Sequence, residues 1–184
     1  MAKLIYTTIS SFDGYTADEQ GNFDWAAPDE EVHAFVNDRE RPIGTYLYGR
    51  RLYEVMAYWE TATNQVGASA DYAQIWRAAD KIVYSSTLES VSTKGTVLRR
   101  NFEPAEIAHL KSLSDKDITI GGPTFAAAAI RAGLVDEYRF FLNPIVIGGG
   151  TAILPPGFRT SLELVDEHRF ASGVIYLGYR PRDV

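Results

Sequence analysis

Four short stretches of this chain combine backbone freedom with groups able to hold an anion. Asp117 to Phe125 reads as an apolar, β-branched strand ending on Gly121-Gly122, with Pro123 and Thr124 opening an alanine-rich helix. Glycine lets a backbone pass close to a ligand, and the first helical turn presents unpaired N–H groups and a partial positive charge. Proline suits the first helical position. Such a turn is a place for a phosphate, with the Thr124 hydroxyl beside it, although the same residues also make a tight turn that holds nothing. Gly49-Arg50-Arg51 forms a second strand–glycine–helix junction. Ser85-Ser86 and Arg99-Arg100 add hydroxyls and guanidiniums, which hold a phosphate monoester through charge-assisted hydrogen bonds. Two glycine turns for a pyrophosphate and a hydroxyl–arginine group for a further phosphate outline a dinucleotide.

These groups need a scaffold that brings them to one place. Leu4 to Ile9 reads as a first strand, broken by Ser10-Ser11-Phe12-Asp13-Gly14, and a partly polar loop runs on to Trp25 and Pro28. A helix starts at Asp29-Glu30-Glu31, acids that suit a first turn, and stops before Pro42. Further strands are expected at 43–48, 81–84, 96–98, 117–121 and 135–142, and helices after Gly49, at 72–79, at 104–113 and from Pro123. This alternation predicts an α/β fold, a mostly parallel central sheet with helices on both faces. Ala171-Ser172-Gly173 joins 162–170 to 174–179 as a hairpin, so the sheet should close with an antiparallel strand. All four anion-binding stretches then fall at the carboxyl ends of the strands, where open sheets of this kind collect ligands.

Composition narrows the chemistry. The 184 residues suit one domain spanning 1–184, with enough chain to bury a core. There is no cysteine, which excludes disulfides, thiolate metal sites and a cysteine nucleophile and suits a cytoplasmic protein. His33, His109 and His168 are scattered singly, so no metal site is expected. The N-terminus turns polar by Thr7, too soon for a signal peptide, and no stretch approaches a membrane span. A net charge of −6 argues against nucleic acid as a partner and requires any anionic ligand to find a local basic pocket.

The order of these pieces resembles the dihydrofolate reductase fold, and more closely its branch represented by the reductase half of the bifunctional deaminase-reductase proteins of riboflavin biosynthesis. The resemblance covers nearly the whole chain. It is carried by Thr8-Ile9-Ser10-Ser11-Phe12-Asp13-Gly14-Tyr15-Thr16-Ala17, Tyr48-Gly49-Arg50, Ile120-Gly121-Gly122-Pro123-Thr124 and Asn143-Pro144-Ile145-Val146-Ile147-Gly148-Gly149-Gly150. The first and last resemble the riboflavin branch specifically; the middle two are shared with dihydrofolate reductases. The resemblance implies a three-layer dihydrofolate reductase-like fold and NADPH as cofactor. Gly49, Arg50 and the turn Gly121, Gly122, Pro123, Thr124, Phe125 would surround the pyrophosphate. Arg50, Arg51 and Ser86 would lie toward the 2′-phosphate, Ser85 would belong to the same cofactor site, and Ala17 would lie near the nicotinamide. The zinc deaminase half, with its cysteine and histidine ligands, has no counterpart in these residues, so the reductase half alone is expected.

The reaction implied is hydride transfer to a pyrimidine-type heterocycle such as 5-amino-6-(5-phosphoribosylamino)uracil. Substrate-side candidates are Thr8, Asp13, Trp25, Glu30 and Glu31: Trp25 as a lid, Asp13 as a polarising group or simply the holder of its turn, and one of the acids as the carboxylate that dihydrofolate reductases set near the first helix. Two rival functions remain open, a dihydrofolate reductase-like enzyme acting on a pterin and a non-catalytic nucleotide- or flavin-binding protein. Phe140, Phe141, Ile145, Val146 and Ile147 either supply a homodimer surface, as the resembled domain does, or belong to the core.

Overall fold

Ten strands and six helices follow the alternation of the sequence in the structure, a computed structural model that describes residues 1–182. The strands are β1 (Leu4–Ser11), β2 (Tyr15–Ala17), β3 (Ile43–Gly49), β4 (Asp80–Tyr84), β5 (Thr96–Arg99), β6 (Asp117–Gly121), β7 (Glu137–Asn143), β8 (Thr151–Ala152), β9 (Leu162–Arg169) and β10 (Ile175–Pro181). The helices are α1 (Glu30–Glu40), α2 (Arg50–Met56), α3 (Tyr58–Thr61), α4 (Gly67–Ala78), α5 (Pro104–Leu113) and α6 (Pro123–Arg131). Eight strands form one sheet in the order β5-β4-β3-β6-β1-β7-β10-β9. The first six of that order are mutually parallel, and β10 runs antiparallel to both β7 and β9. The architecture is the dihydrofolate reductase-like one that the sequence predicts.

Strand alternation sends successive side chains to opposite layers. Leu4 and Tyr6 of β1, Leu47 of β3 and Ile118 and Ile120 of β6 face Ile107 of α5 and Ala126, Ala129 and Ile130 of α6. Ile5, Tyr46, Tyr48 and Val83 point the other way, to Tyr72 and Trp76 of α4 and Ala79 just after it. Beyond β1, Val32 of α1 covers Phe141, Phe170, Val174 and Tyr176. Burial on both faces is what a central parallel strand requires and explains the near-continuous apolar run of β1.

α4 starts at Gly67, five residues earlier than its periodicity alone suggests. Its N-terminus is capped from another helix: the Glu30 carboxylate of α1 accepts the Ala68 N–H at 2.7 Å, a tertiary contact with no local sequence signal. β2 and β8, three and two residues long, are absent from the sequence reading because strands that short carry no periodicity. Of the apolar residues weighed for self-association, Phe140 and Phe141 are core at 7% and 1% exposure, Ile147 is half-buried, and Ile145 and Val146 stand 36% and 67% exposed. No helix among the described residues is long and apolar enough to cross a membrane.

Candidate functional site

Parallel pairing brings the carboxyl ends of six strands to one edge of the sheet, and the four stretches singled out in the sequence gather there. β3 and β6 are neighbours, with Tyr48 opposite Gly121, so the two glycine junctions stand side by side. Their glycines have a packing reason besides any ligand. A Cβ at Gly49 would lie 2.9 Å from Phe125 Cβ, and one at Gly121 would lie 2.5 Å from Leu52 Cδ2. Each helix thus leans its first turn over the other's strand. Gly122 takes φ of 82°, a left-handed conformation open to glycine, and no side chain caps α6. The first-turn N–H groups of Thr124 and Phe125 are therefore left for solvent or a ligand. Phe125 stacks on Tyr84 at 5.1 Å and meets Phe102 edge-on at 5.6 Å, an aromatic group that the sequence reading did not assemble.

Next along the edge lies a turn after β4 built from hydroxyls and arginines. The buried Ser85 Oγ accepts from Thr87 N at 3.2 Å and Leu88 N at 2.9 Å, and Ser85 N donates to Arg99 O at 2.9 Å. Arg100 donates to the carbonyls of Ser85 (3.2 Å) and Leu88 (2.5 Å), bracing the turn. Arg50 donates from Nε to Glu54 Oε1 at 2.7 Å and from a terminal nitrogen to Thr87 Oγ1 at 3.0 Å. Arg99 pairs with Glu106 at 3.2 Å. Ser86 and Arg51 are exposed beside this network. Of these stretches, Ser85 and Arg100 build the turn and Arg50 ties it to α2; Ser86, Thr87 and Arg51 face outward.

At the far side of the same edge, the two long motifs of the sequence close on each other. The Asp13 carboxylate accepts from Ile147 N at 3.2 Å and Gly148 N at 2.7 Å, and Phe12 N donates to Ile145 O at 2.8 Å. Ser11 and these amides hold the Asp13 carboxyl below the usual carboxylate range. Asp13 is thereby the holder of its loop. β2 pairs with β8, setting Ala17 opposite Thr151, and a Cβ at Gly150 would overlap the Ala17 carbonyl oxygen. Ala17 lies on the wall formed where these motifs meet. Thr8 is half-buried in β1, its hydroxyl 3.3 Å from the Ile9 carbonyl. Trp25 sits on a short 3-10 helix, Asp24–Ala26, with its indole nitrogen buried and unpartnered.

Each of the three acids at the start of α1 has a structural partner. Asp29 caps the helix by accepting from Val32 N at 2.8 Å, Glu30 caps α4, and Glu31 accepts from Ala171 N at 3.0 Å to tie down the β9–β10 hairpin. All three remain solvent-exposed. Among the described residues, no group of three or more His, Asp or Glu is placed to hold a metal ion.

A model of the RibD C-terminal domain matches residues 2–176. The chain belongs to the RibD C-terminal domain family. YyaP of Bacillus subtilis, an uncharacterized protein, is 26% identical over 181 residues, which cover 96% of this chain and 94% of YyaP. A protein from Shewanella sp. PV-4 assigned to riboflavin biosynthesis superposes with a TM-score of 0.77 at 19% identity, covering both chains in full. Dihydrofolate reductase from Enterococcus faecalis, solved as a complex with NADP(H), superposes with a TM-score of 0.66 at 17% identity over 98% of this chain and 97% of its own. The RibD C-terminal domain is a reductase domain, so the family makes this chain an oxidoreductase of riboflavin-pathway type.

Proposed function

We propose that this RibD C-terminal domain protein is an NADPH-dependent reductase that delivers hydride to an imine-like or glycosylamine carbon of a pyrimidine-type heterocycle, with 5-amino-6-(5-phosphoribosylamino)uracil as the model substrate. The observation that carries the reading is the side-by-side placement of Gly49-Arg50 and the uncapped Gly121–Phe125 turn at adjacent strand ends. The residues present fit the cofactor chemically: free amides at a helix start, a threonine hydroxyl, and guanidiniums beside serine and threonine hydroxyls form a donor set for phosphates.

Bound NADPH supplies the hydride from its reduced nicotinamide. The chain's share is alignment. Thr124 and Phe125 amides and the Thr124 hydroxyl hold the pyrophosphate, and Gly121 and Gly122 admit it at close range. Arg50, Arg51, Ser85 and Ser86 serve the 2′-phosphate end. Ala17, on the wall fixed by Asp13 and Gly150, bounds the nicotinamide, while Thr8 lines the pocket and Trp25 covers it against water. A pterin substrate is less well supported, because Asp29, Glu30 and Glu31 are each engaged by backbone amides and are exposed.

Titration with NADPH and NADH, followed by tryptophan fluorescence, tests the reading. Saturable binding with NADPH preferred is expected, and Arg50→Ala should shrink that preference about tenfold, the loss of one charge-assisted contact. No binding of either nucleotide would overturn it.

A further inference from the structure

The guanidinium best placed for a nucleotide phosphate is already engaged. Arg50 gives its Nε to Glu54, one helical turn on, and a terminal nitrogen to Thr87 on the turn after β4. Arg99 is paired with Glu106 and Arg100 with backbone carbonyls, so those two are occupied in building the edge. A planar guanidinium binds a phosphate best through two parallel N–H donors, and the Nε with one terminal nitrogen is such a pair. In this structure Nε, one member of that pair, is taken by the Glu54 carboxylate, while Thr87 holds Nη1, the terminal nitrogen on the opposite side of the guanidinium.

We propose that Glu54 is a specificity-determining residue that competes with the 2′-phosphate of the cofactor for Arg50, holding the guanidinium in a standby pose and so setting how strongly NADPH is preferred over NADH. The inference rests on the nicotinamide reading given above and adds to it a residue that touches no part of the cofactor. Glu54 acts in two ways. Its bond to Arg50 occupies Nε and must break before the Nε–Nη2 pair can take a phosphate side-on, and its negative charge repels an incoming dianion. Both Arg50 and Glu54 side chains are 48% exposed, so the pair itself is weak and readily exchanged for a phosphate. Thr87, the second partner, carries no charge, and its hydroxyl can stay in contact with the arginine or join it on the phosphate.

The test is a titration of the full chain and of Glu54→Gln with adenosine 2′,5′-bisphosphate and with 5′-ADP, which isolate the phosphate ends from the nicotinamide, alongside NADPH and NADH. Glutamine keeps the size of the side chain and removes its charge. The expected result is about threefold or more tighter binding of adenosine 2′,5′-bisphosphate and NADPH to Glu54→Gln, unchanged binding of 5′-ADP and NADH, and a gap between the two proteins that closes at high salt. Unchanged or weaker binding of the 2′-phosphorylated ligands by Glu54→Gln, while the parent protein retains its NADPH preference, would overturn the proposal and leave the cofactor reading standing. Failure of the parent protein to bind any of the four would overturn both. Matching circular dichroism melts for the two proteins exclude a folding effect at this exposed helical position.

Discussion

The two ends of the sheet differ in how their polar groups are used. At the amino ends of β3, β4 and β6, an open groove of about 580 Å³ runs between Arg41, Asp71, Gln74, Asp80, Asp115 and Lys116. Two of its charges are committed to structure: Arg41 pairs with Asp71 at 2.8 Å, and Asp71 also accepts from Asn37, so the groove's rim joins α1 to α4. The carboxyl ends hold the uncapped α6, glycines in left-handed backbone, and the arginine–hydroxyl turn. The contrast teaches that volume marks space while unsatisfied donors mark chemistry. A phosphate gains more from free amides than from room.

The largest effect expected is on the closure of the two long motifs. Gly150→Ala should lower stability in urea by about 3 kcal/mol or more, since its Cβ would overlap backbone at Ala17 and Asp18 in a conformation foreign to alanine. A melt matching the parent would show that the wall around Ala17 is looser than its packing implies.

The next effect belongs to the amino-end half. Glu40, fully buried at the end of α1, has its carboxyl pushed up to about 7 by burial, offset in part by Arg139 nearby. The folded state therefore favours the protonated carboxyl. That stability is fully present below the ordinary glutamate value of about 4.3 and is lost as pH rises through the folded value. Going from pH 5 to pH 8 should cost a few kcal/mol, and Glu40→Gln should flatten the profile and be the more stable protein at pH 8. Parallel pH profiles for the two proteins would refute this. The smallest effect is a negative control at the groove: Gln74→Ala should leave both melting temperature and NADPH affinity unchanged, and a weakened NADPH complex would move the cofactor to the wrong end.

Much of this contrast is legible in the sequence. The alternation of apolar strands with helices gives the parallel sheet, and glycine, proline and arginine at strand ends locate the junctions, because those signals are local. What the sequence hides is contact between distant segments. Nothing near Glu30 announces that it caps α4, or near Glu31 that it ties a hairpin about 140 residues away. Both read as substrate candidates because an acidic helix start looks the same whether its carboxylates meet solvent, ligand or a distant amide. Asp13 is the opposite case: its Asp-Gly turn was readable, but its grip on Ile147 and Gly148 depends on β1 and β7 being neighbours. Arg50 was legible as a cation, while its engagement by Glu54 and Thr87 emerged only in the structure.

The most direct test of the central claim is backbone amide chemical-shift mapping of the protein on addition of NADPH. The account expects the largest changes at Gly49 to Arg51, Ser86, Thr87 and Gly121 to Phe125, with little change at 41–45, 74–80 and 114–116. Shifts concentrated in the groove at the amino ends, with the Gly121–Phe125 amides unmoved, would contradict it.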